Sequence, residues 1–412
     1  MHLYRGIPAH LIISAGLIMS PATLAWAQES GSSAEAPGFA NEAPSPQLKE
    51  TADAQASADT PAWDLQFGGY LRTKYSAVQN DPHYQLIGRR DGFSLADVAL
   101  AVDGSLENGV GFNVVLEGAA GLPKGADNED IELGTRLLDA FLSYAPHDLV
   151  RISVGQFKAP YDAETLQSTK DLLFVDRSVG NQGVSGLDGM PVMGLSQGRQ
   201  VGLRLDSEPY YFFNDSQDAA PNGPALSYAL AVTNGQKVNL RFNENDKMAY
   251  YGRLNLHWGD LIRVGGAGFY NERTLGAAPD RLNQKNVGWT GDLTVNAYGV
   301  SLLTNITQVE VTPAPELQAE QSRTARSLQA QIAYQEPFLG LQPAYRFAYY
   351  DPDINDDGSA NVAYEALTYH TFGLNYNSPD YPVRILLNYT VTGEDIRSID
   401  NNRFDALAQI VW

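Results

Sequence analysis

Lys158, Lys170 and Arg177 fall within one short stretch, GQFKAPYDAETLQSTKDLLFVDRS, from Gly155 to Ser178. The stretch leaves a strand-like pattern, turns at Pro160 and becomes polar and charged. Basic side chains gathered this way can hold an anion, because charge-assisted donors bind carboxylate or phosphate best when several converge. Arg72, Lys74 and Arg151 are further cations in alternating segments, and Asp97 is an acid in another.

Other chemistry finds little support. Asp351-Pro-Asp-Ile-Asn-Asp-Asp-Gly358 begins like a calcium loop, with oxygens at alternating positions and a turn glycine. The closing acid is missing, since Tyr364 stands at the twelfth position and Glu365 comes one late. An acidic turn in an exposed loop is the plainer reading. His83, His147, His257 and His370 lie far apart, and no serine or acid completes a triad spacing. No phosphate-cradling glycine loop or zinc spacing is present. The expectation is no enzyme, no cofactor and no metal site.

The elements that must position the cations are strands. From Trp63, the sequence WDLQFGGYLRTKY alternates apolar Trp63, Leu65, Phe67, Leu71 and Tyr75 with Asp64, Gln66, Arg72 and Lys74. Period-two alternation marks a strand with two unlike faces. Its length suits the ~9–11 residues of a tilted membrane-crossing strand. Similar segments fall near 63–75, 93–103, 110–118, 135–145, 149–158, 198–207, 225–234, 248–258, 261–271, 286–296, 298–309, 323–335, 341–350, 366–377, 382–392 and 402–412. Connections alternate between short and long, with 208–224 the exception. Short turns on one rim and long loops on the other predict a 16-stranded antiparallel transmembrane β-barrel. A soluble sandwich or propeller would also alternate, but leaves the aromatic strand ends and loop asymmetry unexplained. No segment approaches the ~18 apolar residues of a membrane helix.

The N-terminus sets the compartment. Arg5, an apolar run from Leu11 to Leu24 and Ala25-Trp26-Ala27 read as a secretory signal peptide over 1–27. Residues 28–62 are rich in Ala, Ser, Pro and Glu and read as a disordered leader. The barrel is expected over 63–412. The absence of cysteine suits a fold held by sheet closure. The net charge is -20, of which 1–27 contribute +1, 28–62 contribute -5 and the rest -16. That balance argues against nucleic acid as a partner.

The segment VGQFKAPYDAETLQSTKDLLFVDRS resembles the hallmark of the phosphate-selective porin O and P family. DGFSLADVALAVDG, RQVGLRL, YALAVTNGQ, LQPAYRFAYYDP and TFGLNY are similar to other pieces of it. The resemblance spans about residues 63–412. It implies a homotrimer of barrels in the bacterial outer membrane, embedded in its lipid and passing small ions or anionic solutes. It also implies that the third loop folds inward as a constriction. Lys170 takes the place of the family's loop lysine. Where the family commonly carries paired arginines, this chain has Ala96-Asp97.

Constriction and anion-binding residues are therefore expected among Lys158, Lys170, Arg177, Arg72, Lys74, Arg151 and Asp97. The alternation turns Arg72, Lys74, Arg151, Arg204, Arg253, Arg263, Arg346 and Arg384 inward, with Asp97, Glu117, Asp139, Asp206 and Asp292. An excess of arginine favours anions in a pore. Pairing across strands, which would stiffen the wall instead, is the competing account. A helix is expected within Asp162 to Leu173. The alternatives to a general porin are a plugged or structural barrel and an outer-membrane hydrolase.

Overall fold

The computed structural model describes residues 63–412 except 86, 90, 125–129, 187, 190, 213–222, 236–242, 244, 276–281, 314–321 and 357–364. The signal peptide and the leader lie outside the described residues, as do Asp357, Gly358 and Tyr364 of the calcium-like loop.

Sixteen long antiparallel strands close on themselves. They are β1 (Asp64–Val78), β2 (Gly92–Ser105), β3 (Val110–Lys124), β4 (Asp130–His147) and β5 (Val150–Lys158). After the third long loop come β6 (Arg199–Asp206), β7 (Pro224–Thr233), β8 (Ala249–Trp258), β9 (Ile262–Leu275) and β10 (Leu282–Ala297). The set ends with β11 (Val300–Thr312), β12 (Arg323–Tyr334), β13 (Leu341–Asp351), β14 (Leu367–Asn377), β15 (Val383–Glu394) and β16 (Arg403–Val411). Each strand pairs with its neighbour in sequence, and β1 pairs with β16. At the seam the Gly69 and Trp412 backbones exchange N–H···O bonds of 3.1 Å. Closure leaves no unpaired edge, which a sheet in hydrocarbon cannot tolerate.

The burial pattern inverts that of a soluble protein. Leu254, Trp258, Phe372 and Ile410 are exposed on the outer face. Asn375, Asp405, Gln329 and Ser153 are buried on the inner face. The chain therefore presents its apolar face to lipid and its polar face to the lumen.

Two boundaries differ from expectation. The β10–β11 connection is Tyr298-Gly299 rather than Ala297, with φ of 52° and 81°. Positive φ at both central residues is the two-residue turn that matches strand twist. A tyrosine in that conformation carries little signal. Strands β3 and β4 also run further toward the long-loop rim than the alternation suggests, leaving 125–129 rather than 119–134 between them. The irregular connection after β6 contains a two-residue strand, Tyr210–Tyr211, that extends the ladder along β7.

Candidate pore constriction

The third long loop begins where β5 ends at Lys158. Asp162 caps α1 (Ala163–Leu166), accepting from the Glu164 and Thr165 N–H groups. A 3-10 turn at Thr169–Asp171 and α2 (Val179–Gln182) follow. The short helix expected within Asp162 to Leu173 is present as the four residues of α1, with the 3-10 turn separate from it. The chain turns extended at Gln167, and the carbonyls left open there are met by side chains: Glu164 O and Gln167 O accept from Arg177, and Leu166 O and Gln167 O accept from Lys158 Nζ. A helix leaves its last carbonyls without intrahelical partners, and side chains can satisfy them.

Asp162 also binds the loop to itself and to the wall. Its carboxylate accepts from Asn181 Nδ2 of α2 and from Asn305 Nδ2 of β11 at 2.8 Å. Burial is near complete at 4 % exposure, so each bond counts. Close approach elsewhere requires glycine: a Cβ on Gly180 of α2 would lie 2.2 Å from Ser327 Cβ of β12.

The loop lies against the inner faces of β8 to β16 and of β1. Arg253 Nη1 donates to Tyr161 O at 2.7 Å and Arg346 Nη1 to Asp176 O at 2.9 Å. Arg384 donates to Lys170 O and Leu172 O, and Arg72 Nη2 to Val175 O at 2.8 Å. Asn375 and Asn388 add bonds to Leu173 O and the Val175 N–H. An apolar cluster sits beneath the polar anchors: Tyr161, Val179 and Leu195 of the loop pack with inward Tyr251, Phe269, Val309 and Tyr350. Val175 packs on Leu386 and Leu407. Large apolar side chains at inward positions are the signal that sequence reasoning passed over. A strand facing only water would not carry them.

Charge pairing accounts for every inward acid named from the sequence. Asp97 accepts from Arg72 Nη1 at 2.7 Å, Asp292 pairs with Arg253 at 2.7 Å, and Asp139 pairs with Arg199 at 2.9 Å. Glu117 pairs with Arg136, and Asp206 with both Arg151 and Arg204. The loop acid Asp176 takes Arg403 at 2.5 Å and Lys74 at 3.8 Å. Burial alone would raise the Asp176 carboxyl, but Lys74, Arg403, Arg72 and Arg346 outweigh it and hold it well below the usual carboxylate range.

The candidate residues thus separate. Lys158, Lys170 and Arg177 belong to the loop and its root. Arg72, Asp97 and Lys74 meet the loop at Val175 and Asp176. Arg151 does not join them: it sits at the short-turn end of β5, bonded to Asp206 and Glu208. There it lines a 570 Å³ recess with Asp64, Asp103 and Arg204. Lys170 stays half-exposed, with Asp171 as its ion partner at 2.9 Å. Asp351 and Asp353 accept backbone N–H bonds within their turn, and Glu365 pairs with Arg397.

A closed barrel with an in-turned third loop accords with the sequence comparison. Residues 67–254 match the family described as phosphate-selective porin O and P. The chain is an outer-membrane porin. Among solved structures, the porin is similar in fold to the outer-membrane channel DcaP of Acinetobacter baumannii, at 12 % identity and TM-score 0.58, covering 85 % of this chain and 97 % of that one. An anion-selective porin from Comamonas acidovorans gives 12 % identity and TM-score 0.54, covering 85 % and 100 %. OmpT of Vibrio cholerae in a trimer form gives 12 %, 0.54, 85 % and 100 %. At these identities the likeness is one of fold. No curated protein sequence matches the porin significantly.

Proposed function

We propose that the porin passes small ions and solutes by diffusion, with a weak preference for anions such as phosphate, through an eyelet between the third loop and the β1–β6 wall. The supporting observation is how charge is spent. Wall pairs Arg72–Asp97, Arg136–Glu117 and Arg199–Asp139 are neutral as units. On the loop side Lys170 pairs with Asp171, while Lys158 and Arg177 donate to neutral backbone carbonyls of the loop. A small cationic surplus in a water-filled constriction favours anions without binding them tightly. Asp97 takes up the charge of Arg72, which argues for weak selectivity.

In this reading the chain catalyses nothing and works as a homotrimer, with 1–27 removed on export and 28–62 as a leader. The test is a planar bilayer under a salt gradient, with phosphate added afterwards. An anion-signed reversal potential and partial block of chloride current support the proposal. A cation-signed potential without block refutes the preference and leaves a general porin. The many loop anchors favour one rival reading, a plugged barrel, which the absence of any conductance would establish.

A further inference from the structure

We propose that the outer face of β11–β13, at the long-loop rim, binds the phosphate-bearing headgroup of a membrane lipid through Arg326. The register fixes the direction of this side chain. Arg326 shares a face of β12 with exposed Leu328, Ile332 and Tyr334, while Ala325, Ser327, Gln329 and Gln331 are buried toward the lumen. Its guanidinium therefore lies on the outside of the barrel, where the neighbouring surface meets lipid.

An unpaired arginine there is a costly choice. Arg72, Arg151 and Arg253 each meet a carboxylate, but among the described residues Arg326 has no ion pair. Its Nε and Nη2 both donate to Gln308 Oε1 on β11, at 3.1 and 2.7 Å. Gln308 stands directly opposite it in the ladder. A neutral amide fixes the plane of the fork without cancelling its charge, and Nη1 remains for another acceptor. Asp351 is its partner residue across on β13, yet the Asp351 oxygens are taken by the Tyr349 hydroxyl at 3.2 Å and the Asp353 N–H at 3.0 Å. Glu310 lies one step nearer the loops, beside Thr324.

Height selects the ligand. Eight residues of β12 separate Arg326 from Tyr334 near the short-turn rim. At ~3.3 Å per residue and a tilt near ~45°, that is about 19 Å of an apolar band ~25 Å tall. The Arg326 backbone therefore lies in the upper part of that band, and its long side chain reaches the boundary where acyl chains give way to headgroups. Leu328, Ile306 and Phe347 lie on its membrane side, suited to the chains, and the fork is suited to phosphate oxygens. A free anion would find the fork but gain nothing from the apolar flank.

The full-length protein in non-ionic detergent is examined intact by mass spectrometry. Phosphatidic acid and phosphatidylcholine of identical acyl chains are the probes. We expect wild type to retain phosphatidic acid roughly fivefold better than R326Q, with no such gap for phosphatidylcholine. Equal retention of phosphatidic acid overturns the proposal. So does loss of all bound lipid from wild type in excess inorganic phosphate, which would mark a simple anion contact. Heat-shifted electrophoretic mobility and unchanged conductance confirm that the variant is folded. If R326Q does not fold, Q308A keeps the charge and frees the fork: reduced retention supports the site, and full retention overturns it.

Discussion

Single residues in this porin are chosen for what they leave unpaired. Asp97 neutralises Arg72 while Arg72 still holds Val175 O. Asp97→Asn should keep the loop in place and add one net positive charge beside it. One charge at ~8 Å in water is worth about 0.5 kcal/mol, or about twofold in relative permeability. The reversal potential should move toward the anion side by that amount, and no movement would show that Asp97 does not face the permeating ion. Arg346 poses the opposite case. Its fork lies 3.6 Å from Glu164, and both side chains are almost fully buried. Removing one partner of such a pair costs about 3–5 kcal/mol, against about 1 kcal/mol for an ordinary hydrogen bond. Arg346→Ala should therefore loosen the loop and raise single-channel conductance, whereas Arg204→Ala, at the other end of the wall, should not.

At the scale of elements, the third loop behaves as a core rather than a lid. It has polar anchors on strands from both halves of the barrel and an apolar cluster beneath them. Its pH response follows from Asp176. A carboxyl held below its unfolded value contributes stability that is present above the unfolded pKa and is lost as pH falls through the folded one. The folded value is depressed, so the contribution lasts through mild acid and disappears only below the ordinary aspartate range of about 3.9. The contribution of Asp176, read as the difference in heat-shifted mobility between wild type and Asp176→Asn, should stay flat from neutral pH down to about 4 and shrink only below that. A step at pH 5–6 would contradict the assignment. The early end of this loop's helix was hidden in the sequence. Asp162, the cap, was visible, but the donors that meet the open helix carbonyls, Lys158 and Arg177, come from outside it.

For the whole molecule, closure is the condition of stability. β16 is paired on both sides, to β15 and β1, and Trp412, which follows it, completes the seam with Gly69. Deleting Phe404 to Trp412 should leave two open edges in lipid and abolish the heat-shifted mobility of the folded barrel. A truncated chain that still shifts would mean that β15 and β1 can close without it.

The alternation of apolar and polar residues, read along the chain, determined the sixteen strands, their faces and the barrel. A period of two admits only one orientation once one side must meet lipid. It also placed the inward arginines and acids, because that choice is local. Only the tertiary structure decided what those charges do. Arg384 and Lys170, 214 residues apart in sequence, meet because the loop crosses the lumen, and their contact is with a backbone carbonyl that has no sequence signature. Arg151 shares the alternation of Ser153 and Gly155 yet ends at the opposite rim from the loop. Leu386, Leu407 and Phe269 break the polar pattern of the inner face, and their reason appears only when Val175 and Tyr161 arrive against them. Burial depends on what a residue meets in space, and for an inner wall the partner is a loop encoded far away.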